Sequence, residues 1–157
     1  MIEVRQPTFG DLAALEDILE AEQLGCDTEG LPCWVAAESN VDHEVLGGVI
    51  ANFAYGDYGS KVPPGHGRDH AFVHAIAVAS EHRRKGVGRA LMRRVAEGAH
   101  SAGLSFLVLM PQEREADAAE HIAFFRTCGL NSLAPGSYLA AYGAPVSEIL
   151  QRLQMGS

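Results

Sequence analysis

The chain has 157 residues, 47% of them apolar and 20% charged. That is the size and balance of one globular domain with a single core, and it excludes a disordered or fibrous chain. Twelve lysines and arginines against 20 acids give a formal charge of −8, the wrong sign for a protein that grips nucleic acid with its whole surface. No apolar run approaches the ~20 residues of a membrane span. The opening MIEVRQPTFGDL lacks the apolar stretch of a signal peptide, so neither nucleic acid nor membrane is an expected partner. Three cysteines (Cys26, Cys33, Cys128) form no CxxC pair. Reduced thiols in a cytoplasm are the simplest account, with a Cys26–Cys33 bridge as the alternative.

Ile2 to Arg5 reads as an opening strand. Thr8 can cap the helix that follows, with Asp11 three residues on in a capping-box position. Leu12, Leu15, Ile18 and Leu19 then share one helical face through about Glu22. Residues 23 to 33 carry Gly25, Gly30 and Pro32 and read as loop or a broken helix. Cys33 to Glu38 and Glu44 to Tyr55 form a predicted hairpin across the polar turn Ser39 to His43. Gly56 to Asp69, with four glycines and two prolines, reads as a long mobile loop of the kind that tends to be functional.

The stretch AFVHAIAVASEHRRKGVGRALMRRVAEGA, residues 71 to 99, carries the most information. An apolar strand (Ala71 to Val78) enters a polar loop, meets Gly86-Val87-Gly88 and opens into a helix with Leu91, Met92, Val95 and Ala99 as its buried stripe. The first N–H groups of a helix have no intrahelical partner and sit at the positive end of its dipole. With Arg83, Arg84, Lys85 and Arg89 beside them, their natural guest is a phosphate or pyrophosphate. The nucleotide-binding pattern G-x-x-x-x-G-K-(S/T) is absent. Downstream, Ser105 to Met110 is a short buried strand, and Glu113 to Cys128 is a predicted helix closed by Gly129. Leu130 to Tyr142 reads as a last strand pair broken by Pro135-Gly136, and Ser147 to Leu153 as a terminal helix. The order gives an α/β chain with a mixed sheet and helices on both faces, organised as one domain over 1–157.

These residues resemble a family. Arg83-Arg84-Lys85-Gly86-Val87-Gly88 fits the (Q/R)-x-x-G-x-(G/A) signature of the GNAT superfamily of acetyl-CoA-dependent N-acyltransferases. AIAV upstream, RALM downstream, the strand SFLVLM and the helix HIAFFRTCGL fit its flanks. The last piece is similar to the family's A-x-x-x-Y-x-x-x-G-F element, with Gly129 and Leu130 at its end. The resemblance implies the acyl-CoA N-acyltransferase fold, with acetyl-CoA as co-substrate and an amine as acceptor. It implies that backbone amides from about Arg84 to Arg89 wrap the CoA pyrophosphate. Ile76, Ala77 and Val78 would pair with the pantetheine arm in a splay between strands, and an N–H near Val78 would face the thioester carbonyl.

The reaction would be direct attack of an amine on the thioester, which needs a general base. His74 aligns with the glutamate that many members carry on this strand, and Glu81 or a held water is the alternative. The usual tyrosine acid aligns with Phe125, which has no proton to give. Tyr138, Cys128 and Tyr142 are the candidate substitutes, and Ala118 stands where an asparagine often contacts CoA. Asp27, Glu29, Asp57, Tyr55 and Tyr58, in variable loops, could attract a cationic amine. His66, His70 and His74 invite a metal reading, but strand alternation gives them no helical convergence, so no metal is expected. Edge strands near the C-terminus suit a homodimer. The competing function is a catalytically weak acyl-CoA-binding regulatory module on the same scaffold, motivated by Phe125.

Overall fold

The computed structural model describes residues 2–21, 30–38, 44–67, 69–111, 118–134 and 140–155. Among the described residues, seven strands, β1 (Ile2–Arg5), β2 (Cys33–Glu38), β3 (Val45–Tyr55), β4 (His70–Val78), β5 (Phe106–Leu109), β6 (Asn131–Ser132) and β7 (Tyr142–Pro145), accompany four helices. These are α1 (Phe9–Ala21), α2 (Val87–Ser101), α3 (Ala118–Thr127) and α4 (Val146–Met155). The strand order is β1-β2-β3-β4-β5-β7-β6. Pairs β1–β2, β2–β3, β5–β7 and β6–β7 are antiparallel and β4–β5 is parallel, so the sheet is mixed, as the order of predicted elements requires. The chain forms two compact units, Met1–Ala51 with His74–Val95 and Asn52–Val73 with Ala96–Ser157, and β3, β4 and α2 each run through both.

In the first unit α1 starts as expected. Thr8 N–H donates to Asp11 Oδ2 at 2.9 Å and Asp11 N–H donates to Thr8 Oγ1 at 3.2 Å, a reciprocal capping box. Leu15 and Leu19 are buried with Val35, Ile50, Ala75 and Ala77, and Leu12 and Ile18 pack on the rim of the cluster. Trp34 is core, as a large aromatic on a buried strand should be, and the Arg94 guanidinium lies 5.4 Å from its ring centroid. The β2–β3 register shifts between Ala36 and Ala37, an irregularity that the alternation did not announce. Its predicted turn, 39–43, lies outside the described residues, as do 23–29.

In the second unit β5 is buried at all four positions. α3 ends in a Schellman motif: Leu130 N–H donates to Phe125 O and Gly129 N–H to Arg126 O, both at 3.0 Å, with Gly129 at φ 97°. The helix is described from Ala118, so 113–117 of the predicted span lie outside the described residues. Two expectations need correction. The loop after β3 is pinned: Tyr55, Tyr58 and Phe72 stack, Val62 is buried among Phe72, Phe106 and Val108, and His66 Nδ1 lies 2.9 Å from Ser105 Oγ. The last strand pair joins Asn131–Ser132 to a strand that begins, rather than ends, at Tyr142. β7 gains its place by pairing with β5, a long-range contact that local sequence does not encode.

Candidate cofactor and active site

Strand β4 alternates. Ala75 and Ala77 are buried in the cluster with α1, and His74, Ile76 and Val78 are half-buried on the opposite face. Its pairing with β5 covers Ala71–Val73 against Leu107–Leu109, and β4 runs on to Val78 past that register. Beyond Val78 the chain makes a single 3-10 turn, Ser80–His82, then the basic turn, then α2.

The turn is shaped for an anion. Arg84 has φ 65° and Gly86 φ 84°, with Lys85 between them at negative φ. Alternating handedness of this kind swings successive N–H groups toward one side, the geometry of an anion-binding nest. The first helical bond is Ala90 N–H to Gly86 O at 3.1 Å, so the amides of Val87, Gly88 and Arg89 open the helix ahead of it. A non-glycine residue held at positive φ costs of order 1 kcal/mol, and such strain clusters at ligand sites. A Cβ on Gly86 would point into open space, so it is the backbone conformation that demands glycine here.

Arg89 decides the character of the site. Its Nη2 is buried and has no hydrogen-bond partner among the described residues. A buried guanidinium nitrogen left unpaired is costly unless a ligand completes it, and a phosphate oxygen is the natural complement. The residues present therefore fit a phosphorylated cofactor. Arg83 is half-buried, and Arg84 and Lys85 are exposed beside it. Two residues missed in the sequence reading brace the turn: Glu44 Oε1 lies 2.9 Å from His82 Nε2, and Lys85 Nζ lies 3.3 Å from His82 Nδ1. Glu44 and His82 are 38 positions apart, so no local signal joined them. Both line, with Glu38, Leu46, Lys85 and Ile2, a cavity of about 460 Å³ beside the turn.

The model of the acetyltransferase (GNAT) family matches residues 2–130. The chain belongs to the GNAT family. Its fold agrees with solved members of low identity. Arabidopsis thaliana NAA60, solved with a bisubstrate analogue, is 15% identical with a TM-score of 0.72 over 91% of this chain and 95% of that one. The ribosomal-protein-S18-alanine N-acetyltransferase of Escherichia coli is 18% identical, TM-score 0.63, over 93% and 94%. Rv2747 of Mycobacterium tuberculosis, solved with CoA and NLQ, is 16% identical, TM-score 0.63, over 98% and 81%. No curated protein matches the chain in sequence.

In this GNAT chain the expected catalytic residues fall as follows. His74 is on the half-buried face of β4, two residues before Ile76, and burial lowers its pKa from the ordinary 6.5, so the ring is neutral at pH 7. Glu81 is exposed in the 3-10 turn, with Ser80 Oγ donating to its Oε2 at 3.4 Å, and so lies off the strand altogether. Tyr138, Asp27 and Glu29 lie outside the described residues. In the second unit Phe125, Cys128 and Tyr142 are all buried. Tyr55 and Tyr58 spend their faces on Phe72 and each other. Burial, followed by its hydrogen bond to Asp57, raises the pKa of the Tyr55 hydroxyl. His70 is buried edge-on to Tyr55, and no metal-holding cluster occurs among the described residues.

Proposed function

We propose that this GNAT protein is an N-acetyltransferase that uses acetyl-CoA to acetylate a primary amine of a small molecule or protein by direct attack in a ternary complex. The buried Nη2 of Arg89, without a hydrogen-bond partner among the described residues and on the helix that follows the nest of Arg84–Gly86, is the observation that carries the reading. The CoA-bound structure of Rv2747 supports it from the side of the family. The co-substrate supplies an acetyl thioester. The turn and the amides of Val87–Arg89 hold its pyrophosphate, and the backbone of Ile76–Val78 orients its arm. The amine nitrogen forms the new bond to the acetyl carbon as the C–S bond breaks.

The amine must shed its proton, and His74, kept neutral by burial, accepts it. Glu81, exposed in the turn, is the weaker candidate. With Phe125 at the usual tyrosine position, Tyr138 is the candidate acid for the thiolate, and a thiol with a pKa near ~8.5 is also a fair leaving group that can take its proton from solvent. The protein works in a reducing cytoplasm, which suits its buried thiols Cys33 and Cys128.

Calorimetric titration with acetyl-CoA and CoA, followed by a thiol-release assay over a panel of amines, tests the reading. Expected are micromolar binding, about −8 kcal/mol, and turnover of ~1 per second or more with the right amine. Absence of binding overturns the cofactor assignment. Binding without turnover across the panel would instead favour the regulatory module, for which the buried Phe125 is the motive.

A further inference from the structure

One point in the sheet brings β3 abnormally close to the end of β4. A Cβ built on Gly47 would lie 2.5 Å from Ala77 O, 3.1 Å from Val78 Cα and 3.3 Å from Val87 Cγ1. A carbon atom does not sit 2.5 Å from a carbonyl oxygen in a packed interior, so any side chain here forces the backbone apart. The three neighbours are not arbitrary. Ala77 and Val78 are the end of the strand assigned to the cofactor arm, and Val87 is the first residue of α2, whose opening amides take the pyrophosphate. The residues around Gly47 tie the same segment: Leu46 O accepts from Ala79 N–H at 2.8 Å, and Glu44 holds His82.

We propose that Gly47 is a positioning residue for the cofactor, its missing side chain fixing the spacing between the Val78 backbone and the amides that open α2. The proposal rests on the CoA reading of the turn. It goes beyond packing because Gly48 supplies a matched comparison. A Cβ on Gly48 would run into the Leu15 side chain of α1, and none of its three nearest atoms belongs to the segment from Ala77 to Val87. Both glycines are buried in β3, and an added methyl overpacks at either one. Only at position 47 does the displaced backbone belong to the cofactor site.

The test compares wild type, Gly47→Ala and Gly48→Ala by calorimetric titration with CoA, at a temperature where thermal melts show all three folded. Both variants melt below wild type. CoA binding weakens tenfold or more in Gly47→Ala and stays within twofold in Gly48→Ala. In the coupled assay Gly47→Ala raises KM for acetyl-CoA more than KM for the amine. Equal CoA affinity in Gly47→Ala and wild type, or equal weakening in both variants, overturns the proposal. A wild type that does not bind CoA overturns the cofactor reading itself, and this inference with it. Should Gly47→Ala fail to fold, Val87→Ile crowds the same contact from the helix side. A threefold or greater loss of CoA affinity is then expected, and an unchanged affinity overturns the proposal.

Discussion

Asp11 has 3% of its surface exposed, and burial alone would raise its pKa. The hydrogen bond from Thr8 N–H, those from Arg5 and the Thr8 hydroxyl, and the Arg5 charge outweigh burial and hold the carboxyl below 3.8. A depressed carboxylate contributes stability above its unfolded pKa and loses it as pH falls through the folded one. Asp11→Ala removes the box partner and leaves Arg5 and the Thr8 amide short of an acceptor. It should cost about 2 kcal/mol at pH 7 by urea unfolding, and the difference from wild type should shrink as pH drops below 3.8. His74 has the opposite sense. Its folded pKa is lowered, so the unfolded chain takes up the proton first as pH falls below 6.5, and stability declines there. The same depression places the limb of the wild-type kcat/KM profile below pH 6.5. His74→Gln should remove both the stability slope and that limb and lower kcat by ~100-fold or more. A variant that loses only the stability slope would make His74 a structural residue. The capping box was legible at this scale because its partners are three residues apart; the lowered pKa of His74 was not, because burial produces it.

At the scale of the element, α2 joins core packing to the proposed binding of CoA. Leu91, Met92, Val95 and Ala99 are fully buried, as their spacing predicts, and each large side chain contributes about 1.5–3 kcal/mol. Arg89, in the first turn, is half-buried, and its buried Nη2 is an exception to the pairing of buried polar atoms among the described residues. Such an exception points to a ligand, and it separates binding from folding. Arg89→Met should weaken CoA binding by tenfold or more while the ligand-free protein melts no lower than wild type, because the change removes an unsatisfied group. If the melting temperature falls and CoA affinity stays, Arg89 is a packing residue. The basic turn was readable from its glycines and charges. Its brace was not: Glu44 and His82 meet only once β3 and β4 are side by side. The Gly47-Gly48 pair inside an apolar strand was a signal that went unused, since glycine in a strand marks close approach.

For the whole molecule, β3, β4 and α2 each contribute residues to both compact units. We propose that these continuous elements make the two units melt together. A single domain is therefore the reading we favour, and calorimetry should give one transition with equal calorimetric and van't Hoff enthalpies. Two resolved transitions would make the units separate domains. Among the described residues no helix is long and apolar enough to cross a membrane.

The sequence by itself determined what local physics controls. Period placed α1 and α2, with a capping box at α1, strand and turn signals placed β1, β2 and β4, and a glycine turn with four basic residues pointed to a phosphate site. Tertiary structure decided what depends on neighbours distant in the chain. It moved the last strand to Tyr142–Pro145, where β5 offers a partner, and pinned the loop after β3 through Phe72 and Ser105. It also buried Nη2 of Arg89 with no hydrogen-bond partner among the described residues. Dihedral preference and side-chain period act over a few residues, whereas burial, desolvation and the closeness of two backbones exist only after the chain has folded.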